Sequence, residues 1–152
     1  PKNLQSRWRD LRTHHDVQNP PFEQAALAEF LRTRKIDRHI RSMRRIYAAR
    51  REALLASLQA NLQDRWTACG DAAGLHVTIQ FHGKRMDDAF QTRCIKAGIH
   101  VVPLEAHSIV KGKHEDALVL GFGHLKPEEI DSGVQLLARV INDVDAEGLI
   151  DK

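Results

Sequence analysis

Nine histidines, a glycine pair and a few serines are the side chains here whose types could do chemistry. His76 and His82 alternate in phase along one apolar/polar run, but they lie six residues apart, roughly 20 Å along a strand, and cannot share one ion. His100 or His124 could join one of them from a neighbouring strand, yet no close ligand pair of the structural-zinc kind occurs. The histidines therefore read as polar residues on the open face of a sheet, with no metal site. The stretch GFGHLK at 121–126 holds a GxG but lacks the third glycine of a dinucleotide fingerprint. Ser57, Ser108 and Ser132 stand in no GxSxG elbow. On residue types alone there is no complete active site and no catalytic residue to name.

The other chemical signal is charge. Residues 32–52, RTRKIDRHIRSMRRIYAARRE, carry nine Lys or Arg against two acids, in a chain whose net charge is only +3. Such a run can grip phosphate or simply coat a helix. Phosphate binding needs a clustered, available surface. Here the arginines surround an apolar stripe, so the stretch reads as a solvated or interface face rather than a DNA contact.

These residues must be positioned by elements, and hydrophobic periodicity supplies them. Leu4, Trp8 and Leu11 predict a short helix over 3–15, and DVQNPP at 16–21 breaks it. A second helix follows, with Ala26, Leu27, Phe30 and Leu31 on one side and a kink at Thr33 to Lys35. Ile36, Ile40, Met43, Tyr47, Leu54, Leu58 and Leu62 then form one stripe along a long helix. After Asp64 the period becomes two: WTAC at 66–69 and Leu75 to Phe81 read as paired strands, with a turn at HGK. Asp87 to Ala97 reads as a helix capped by Gly98. IHVVPL at 99–104 and ALVLGFG at 117–123 read as strands around a polar loop, 105–116. Pro127 and two glutamates start a last helix, with residues 145–152 frayed. The sum is an α+β fold: three or four mostly antiparallel strands with helices on one face, preceded by a long kinked helix.

Length suits one domain with a real core. Cys69 and Cys94 form no CxxC pair, which suits a reducing, cytoplasmic compartment, and no apolar run approaches the ~20 residues that span a bilayer. The chain opens on Pro1 rather than Met and reads as a piece of a longer protein.

Four segments, in order, resemble one family. FEQAALAEFLRTRKIDRHIRSMRRIYAARREALLASL is similar to the segment that leaves the large domain of fold-type I aminotransferases and builds the helix into their small domain. GDAAGLHVTIQF, AGIHVVPL and LVLGFGHLKPEEIDSGVQLLARVI fit the same family. The details are nearest to the MocR/GabR-type regulators, in which a GntR-type winged helix-turn-helix is fused to an aminotransferase-like domain that binds pyridoxal phosphate (PLP). The resemblance covers about residues 1–142.

It implies that residues 1–21 end a large domain and 22–152 form a small, C-terminal domain. The implied function is effector sensing and dimerisation in a PLP-dependent bacterial transcriptional regulator. DNA binding and the Schiff-base lysine would then lie upstream, so PLP belongs to the full-length protein and this chain alone is expected to be inactive and without tightly bound cofactor. The implied partners are a second copy, a small amino compound as effector, and DNA only through the missing domain. One alternative is the small domain of a true PLP-dependent amino-acid aminotransferase; another is a freestanding interaction domain that dimerises through its long helix.

The family's carboxylate-binding arginine usually lies just before the strand that corresponds to ALVLGFG. Val110 to Leu120 holds no arginine, so Lys111, Lys113 or His114 would have to substitute, or the segment is a solvated polar loop. Gly74 could allow close approach of a ligand, or be a plain turn glycine. The loop with Gln18, Asn19 and Phe22 is expected near the partner subunit's site.

Overall fold

The computed structural model describes residues 4–15, 20–70 and 74–150, with side chains as far as Glu147. The chain divides into two compact units, Pro1–Met43 and Arg44–Lys152.

The first unit holds α1 (Gln5–His15), α2 (Pro21–Arg32) and the start of α3 (Lys35–Leu62). Pro21 opens α2, where its missing N–H costs nothing. The expected kink is a turn at Thr33–Arg34, with Arg34 at φ 54. Neither α1 nor α2 buries a residue: Trp8, Leu27 and Leu31 are exposed.

The second unit holds the rest of α3, β1 (Trp66–Cys69), β2 (His76–Phe81), α4 (Asp88–Lys96), β3 (Val102–Pro103), β4 (Ala117–Gly121) and α5 (Pro127–Ile150). The four strands are all antiparallel, in the order β1-β2-β4-β3. Period-two patterning sends Val77, Ile79 and Phe81 of β2, with Leu118 and Leu120 of β4, to one face. Leu54, Leu58 and Leu62 of α3, Phe90 and Cys94 of α4, and Ile130, Val134, Leu137 and Ile141 of α5 cover that face. Among the described residues of this unit, the helices pack on that core face and not on the opposite one. Cys69, Thr78, Val119 and Val102 form one register row across all four strands there.

Local chemistry sets the ends of these elements. The Asp87 carboxylate accepts from the Phe90 amide at 3.0 Å and caps α4. Glu129 reaches back to accept from the Lys126 amide at 2.6 Å, ahead of Pro127. Gly98 follows α4 at φ 88, the left-handed conformation that a residue with a Cβ resists.

Three expectations need correction. The strand expected over 99–104 is only Val102–Pro103, because Pro103 has no N–H to continue a ladder and a 3-10 turn, Leu104–His107, begins directly after it. Residues 145–150 are helical rather than frayed: Asp145 pairs with Lys84 and Arg65, and Glu147 with Arg93, so the end of α5 is tied to the loops and to α4. The stripe from Ile36 to Leu62 is not covered throughout. Only Leu54, Leu58 and Leu62 are buried, Tyr47 packs at the core's margin, and Ile40 is 42% exposed.

Candidate functional site

The side chains singled out from sequence fall at opposite ends of β4. Gly74 precedes β2 at the end where His76 pairs with Gly121. The loop carrying Lys111, Lys113 and His114 precedes Ala117, which pairs with Gln80. Those two pairs are four residues apart, about 13 Å along the strand. One small ligand cannot touch both groups within this unit. Gln18 and Asn19 lie outside the described residues. Phe22 stands at the first turn of α2, 86% exposed.

The lysine-bearing loop is folded around a carboxylate. Glu105 accepts from the amides of Gly112 and of His114, the latter at 3.0 Å. Lys111 Nζ donates to the Glu105 carbonyl at 2.7 Å. Desolvation pushes the Glu105 carboxyl up, but the two amides and the charges of Lys111 and His114 outweigh it, and it titrates below its ordinary range. Lys113 is exposed and has no polar partner among the described residues. Lys111 and Glu105 also border a cleft of about 420 Å³ with Arg85, Asp87, Asp88 and Glu115. Arg85 already bridges Asp87, at 3.4 Å, and Glu115, at 3.1 Å. Four carboxylates in one cleft repel a phosphate. The site therefore does not fit PLP, whose phosphate needs convergent donors and whose aldehyde needs an unengaged lysine.

Gly74 is a turn glycine at φ 90, and a Cβ there would meet nothing within 4 Å. The crowding is at its neighbours. A Cβ on Gly121 would come within 3.2 Å of the His76 ring, and one on Gly123 within 3.2 Å of Leu75. The Phe122 amide donates to the Leu75 carbonyl at 3.0 Å, locking the two segments together. Arg50 of α3 donates from Nη1 to the Gly123 carbonyl, and its Cζ lies 5.9 Å from the centre of the Tyr47 ring. Sequence reasoning counted Arg50 among the polar coat of the basic stretch. Only its phase, on the far side of the helix from Arg38, Arg41 and Arg45, set it apart.

Apart from half-buried Arg51, the arginines of the rest of the basic stretch lie at the surface. Arg38, Arg41, Arg44 and Arg45 are exposed, and Arg34 pairs with Asp37 at 3.3 Å. On the open sheet face His82 Nε2 and Thr67 Oγ1 share a hydrogen bond of 2.7 Å, and Gln80 donates to Asp116 at 2.6 Å. Among the described residues no three His, Cys, Asp or Glu side chains converge on a metal position, and no helix is long and apolar enough to cross a membrane.

With this geometry in place, comparison with known proteins decides the kind of domain. The probable rhizopine catabolism regulatory protein MocR of Rhizobium meliloti is 24% identical over 127 residues, 84% of this chain and 26% of that protein. The uncharacterized HTH-type transcriptional regulator YhdI of Bacillus subtilis is 25% identical over 114 residues, 75% of this chain and 24% of that protein. Among solved structures, the α-aminoadipate aminotransferase LysN of Thermus thermophilus, complexed with N-(5'-phosphopyridoxyl)-L-leucine, superposes with a TM-score of 0.79 at 23% identity, over 96% of this chain and 37% of that one. The chain is similar in sequence to MocR-type regulators and has the fold of these aminotransferases.

The multiple substrate aminotransferase of Thermococcus profundus gives the same TM-score, 0.79, at 22% identity, over 88% of this chain and 33% of that one. No model of a known protein family matches the chain. The α+β expectation holds in full for this MocR-like domain: four antiparallel strands with helices on one face is the fold these aminotransferases share with it. The domain spans about a quarter of the length of the curated relatives it matches.

Proposed function

We propose that this MocR-like domain is the C-terminal, effector-sensing and dimerising part of a PLP-dependent bacterial transcriptional regulator. The observation that carries the reading is the joint one: an aminotransferase fold whose sequence relatives are regulators rather than enzymes. On this reading residues 1–21 close a large domain and 22–152 form the small domain. PLP, its lysine and the DNA-binding helix-turn-helix belong to the remainder of a longer, cytoplasmic protein. The exposed apolar side chains of α1 and α2, Trp8, Leu11, Leu27 and Leu31, support a covering partner of that kind, because so much uncovered apolar surface is costly in water. A small amino compound is the effector.

Expression of the full-length gene product tests this. The expected result is a dimer with bound-PLP absorbance that binds its own promoter DNA. A full-length product that transaminates amino acids and ignores that DNA would establish instead the small domain of an amino-acid aminotransferase. Reversing the charges of Arg41, Arg44 and Arg45 in the full-length protein should leave specific promoter binding nearly intact, since that binding belongs to another domain.

A further inference from the structure

One face of α3 is left uncovered by the core. Ala48, Leu55 and Ala56 of that helix and Trp66 of β1 line an open, largely apolar cleft of about 570 Å³, together with Arg51 and Glu52. Positions 48, 52, 55 and 56 follow one another around the helix in steps that keep one face, and Arg44 and Arg45 stand one turn earlier on it. Among the described residues no acid pairs with Arg44, Arg45 or Arg51, and no base pairs with Glu52. Three cations against one anion leave this face positive. Beside the cleft runs β1, an edge strand. The His82 amide donates to the Arg65 carbonyl at 2.9 Å, so the bonded pairs between β1 and β2 fall at Arg65, Thr67 and Cys69. Trp66 and Ala68 therefore turn their N–H and C=O groups outward, and among the described residues no strand pairs with that edge.

We propose that the β1 edge and the α3 cleft together form a docking surface for an acidic, extended segment of a partner protein. The edge offers donors and acceptors in alternation, which match a peptide backbone and not a phosphate chain. The cleft takes the segment's apolar side chains, and Arg44, Arg45 and Arg51 answer its acids. A nucleic acid fits poorly, because Glu52 and an apolar lining stand where its phosphates would need donors. A second copy fits poorly as well, because two positive faces repel each other. The rest of a longer protein is assigned above to the apolar side chains of α1 and α2, which belong to the other compact unit, and nothing in that assignment covers this surface. The inference rests on the proposed function for that point alone.

The test titrates the chain into a fluorescein-labelled peptide with a Val-Thr-Val-Thr-Val centre flanked by glutamates, followed by anisotropy. The expected result is saturable binding, about tenfold tighter than that of the same peptide flanked by lysines. In the nitrogen-labelled chain the Trp66 and Ala68 amides should shift over the same range of peptide concentration. Arg44→Glu combined with Arg45→Glu, at two exposed positions, should weaken binding about tenfold. No saturation, equal binding of the two peptides, or shifts confined to residues away from β1 and α3 overturns the proposal. So does displacement of the peptide by a single-stranded oligonucleotide, or a dimer in sedimentation whose formation shifts the same amides. The comparison of the two peptides on the wild-type chain decides the matter even if the variant does not fold. Loss of peptide binding in the full-length protein would give the surface to that protein's own remaining parts and overturn the partner assignment. Promoter binding by the full-length protein is read separately and does not change with these outcomes.

Discussion

The Ser57 hydroxyl donates to the Asp131 carboxylate at 2.6 Å, joining the C-terminal part of α3 to the first turns of α5. Ser57 is a polar residue buried among the apolar contacts of those helices, and Asn61 Nδ2 donates to its carbonyl at 2.8 Å. Replacing Ser57 with Ala removes a charge-assisted hydrogen bond but strands no buried charge, because Asp131 is exposed. The expected loss is about 1–2 kcal/mol, read from urea unfolding with an unchanged slope. No loss at all would make the contact incidental.

The α3 stripe should divide sharply in energetic weight. Leu58 is fully buried, and Leu58→Ala is expected to cost about 2–5 kcal/mol through lost transfer energy and a cavity. Ile40 is 42% exposed, and Ile40→Ala should stay within about 0.5 kcal/mol. Comparable losses at both positions would mean that something covers Ile40 in solution.

Acid should open the lysine loop through Glu105. Its carboxyl is held below the ordinary glutamate value, so the folded loop is favoured above that value, near pH 4.3, and loses this preference as the pH falls through the lowered one. The protection of the Gly112 and His114 amides, measured against their intrinsic exchange at the same pH, should fall on acidification. Glu105→Gln should remove that protection at neutral pH and with it the acid-induced change. An unchanged profile in the variant would assign the loop's order to other contacts.

The two thiols should differ in reactivity. Cys94 is fully buried, and desolvation raises its thiol to about 11, so it stays protonated and shielded. Cys69 is exposed on β1. A thiol-alkylating reagent at mildly alkaline pH should add once to the native chain, at Cys69, and twice in denaturant, as mass spectrometry can count. Rapid double addition to the native chain would show that the core around Cys94 opens.

Much of this domain was legible because its signals are local. The alternation from Val77 to Phe81, the stripe from Ile130 to Ile141, the cap at Asp87 and the glycine at 98 each act over a few residues. Their physics does not depend on what lies elsewhere in the chain. The misreadings came where distant contacts overrode local pattern. IHVVPL alternates like a strand, yet Pro103 and the turn after it shorten the ladder to two residues. The polar end of α5 looked frayed until Lys84, Arg65 and Arg93 arrived from other elements to pair with it.

The candidate site shows the same division. Sequence alone offered Lys111, Lys113 and His114 as candidates for an anion, and it determined the fold class through hydrophobic period. Which of them stand together was decided only by the pairing of β2 with β4, whose register places Gly74 at one end of the sheet and Lys111 at the other. Within a run of nine basic residues only helical phase set Arg50 apart, and phase does not say what the side chain touches. Its distinction is a carbonyl at Gly123, far along the chain, which faces α3 only after the sheet has formed.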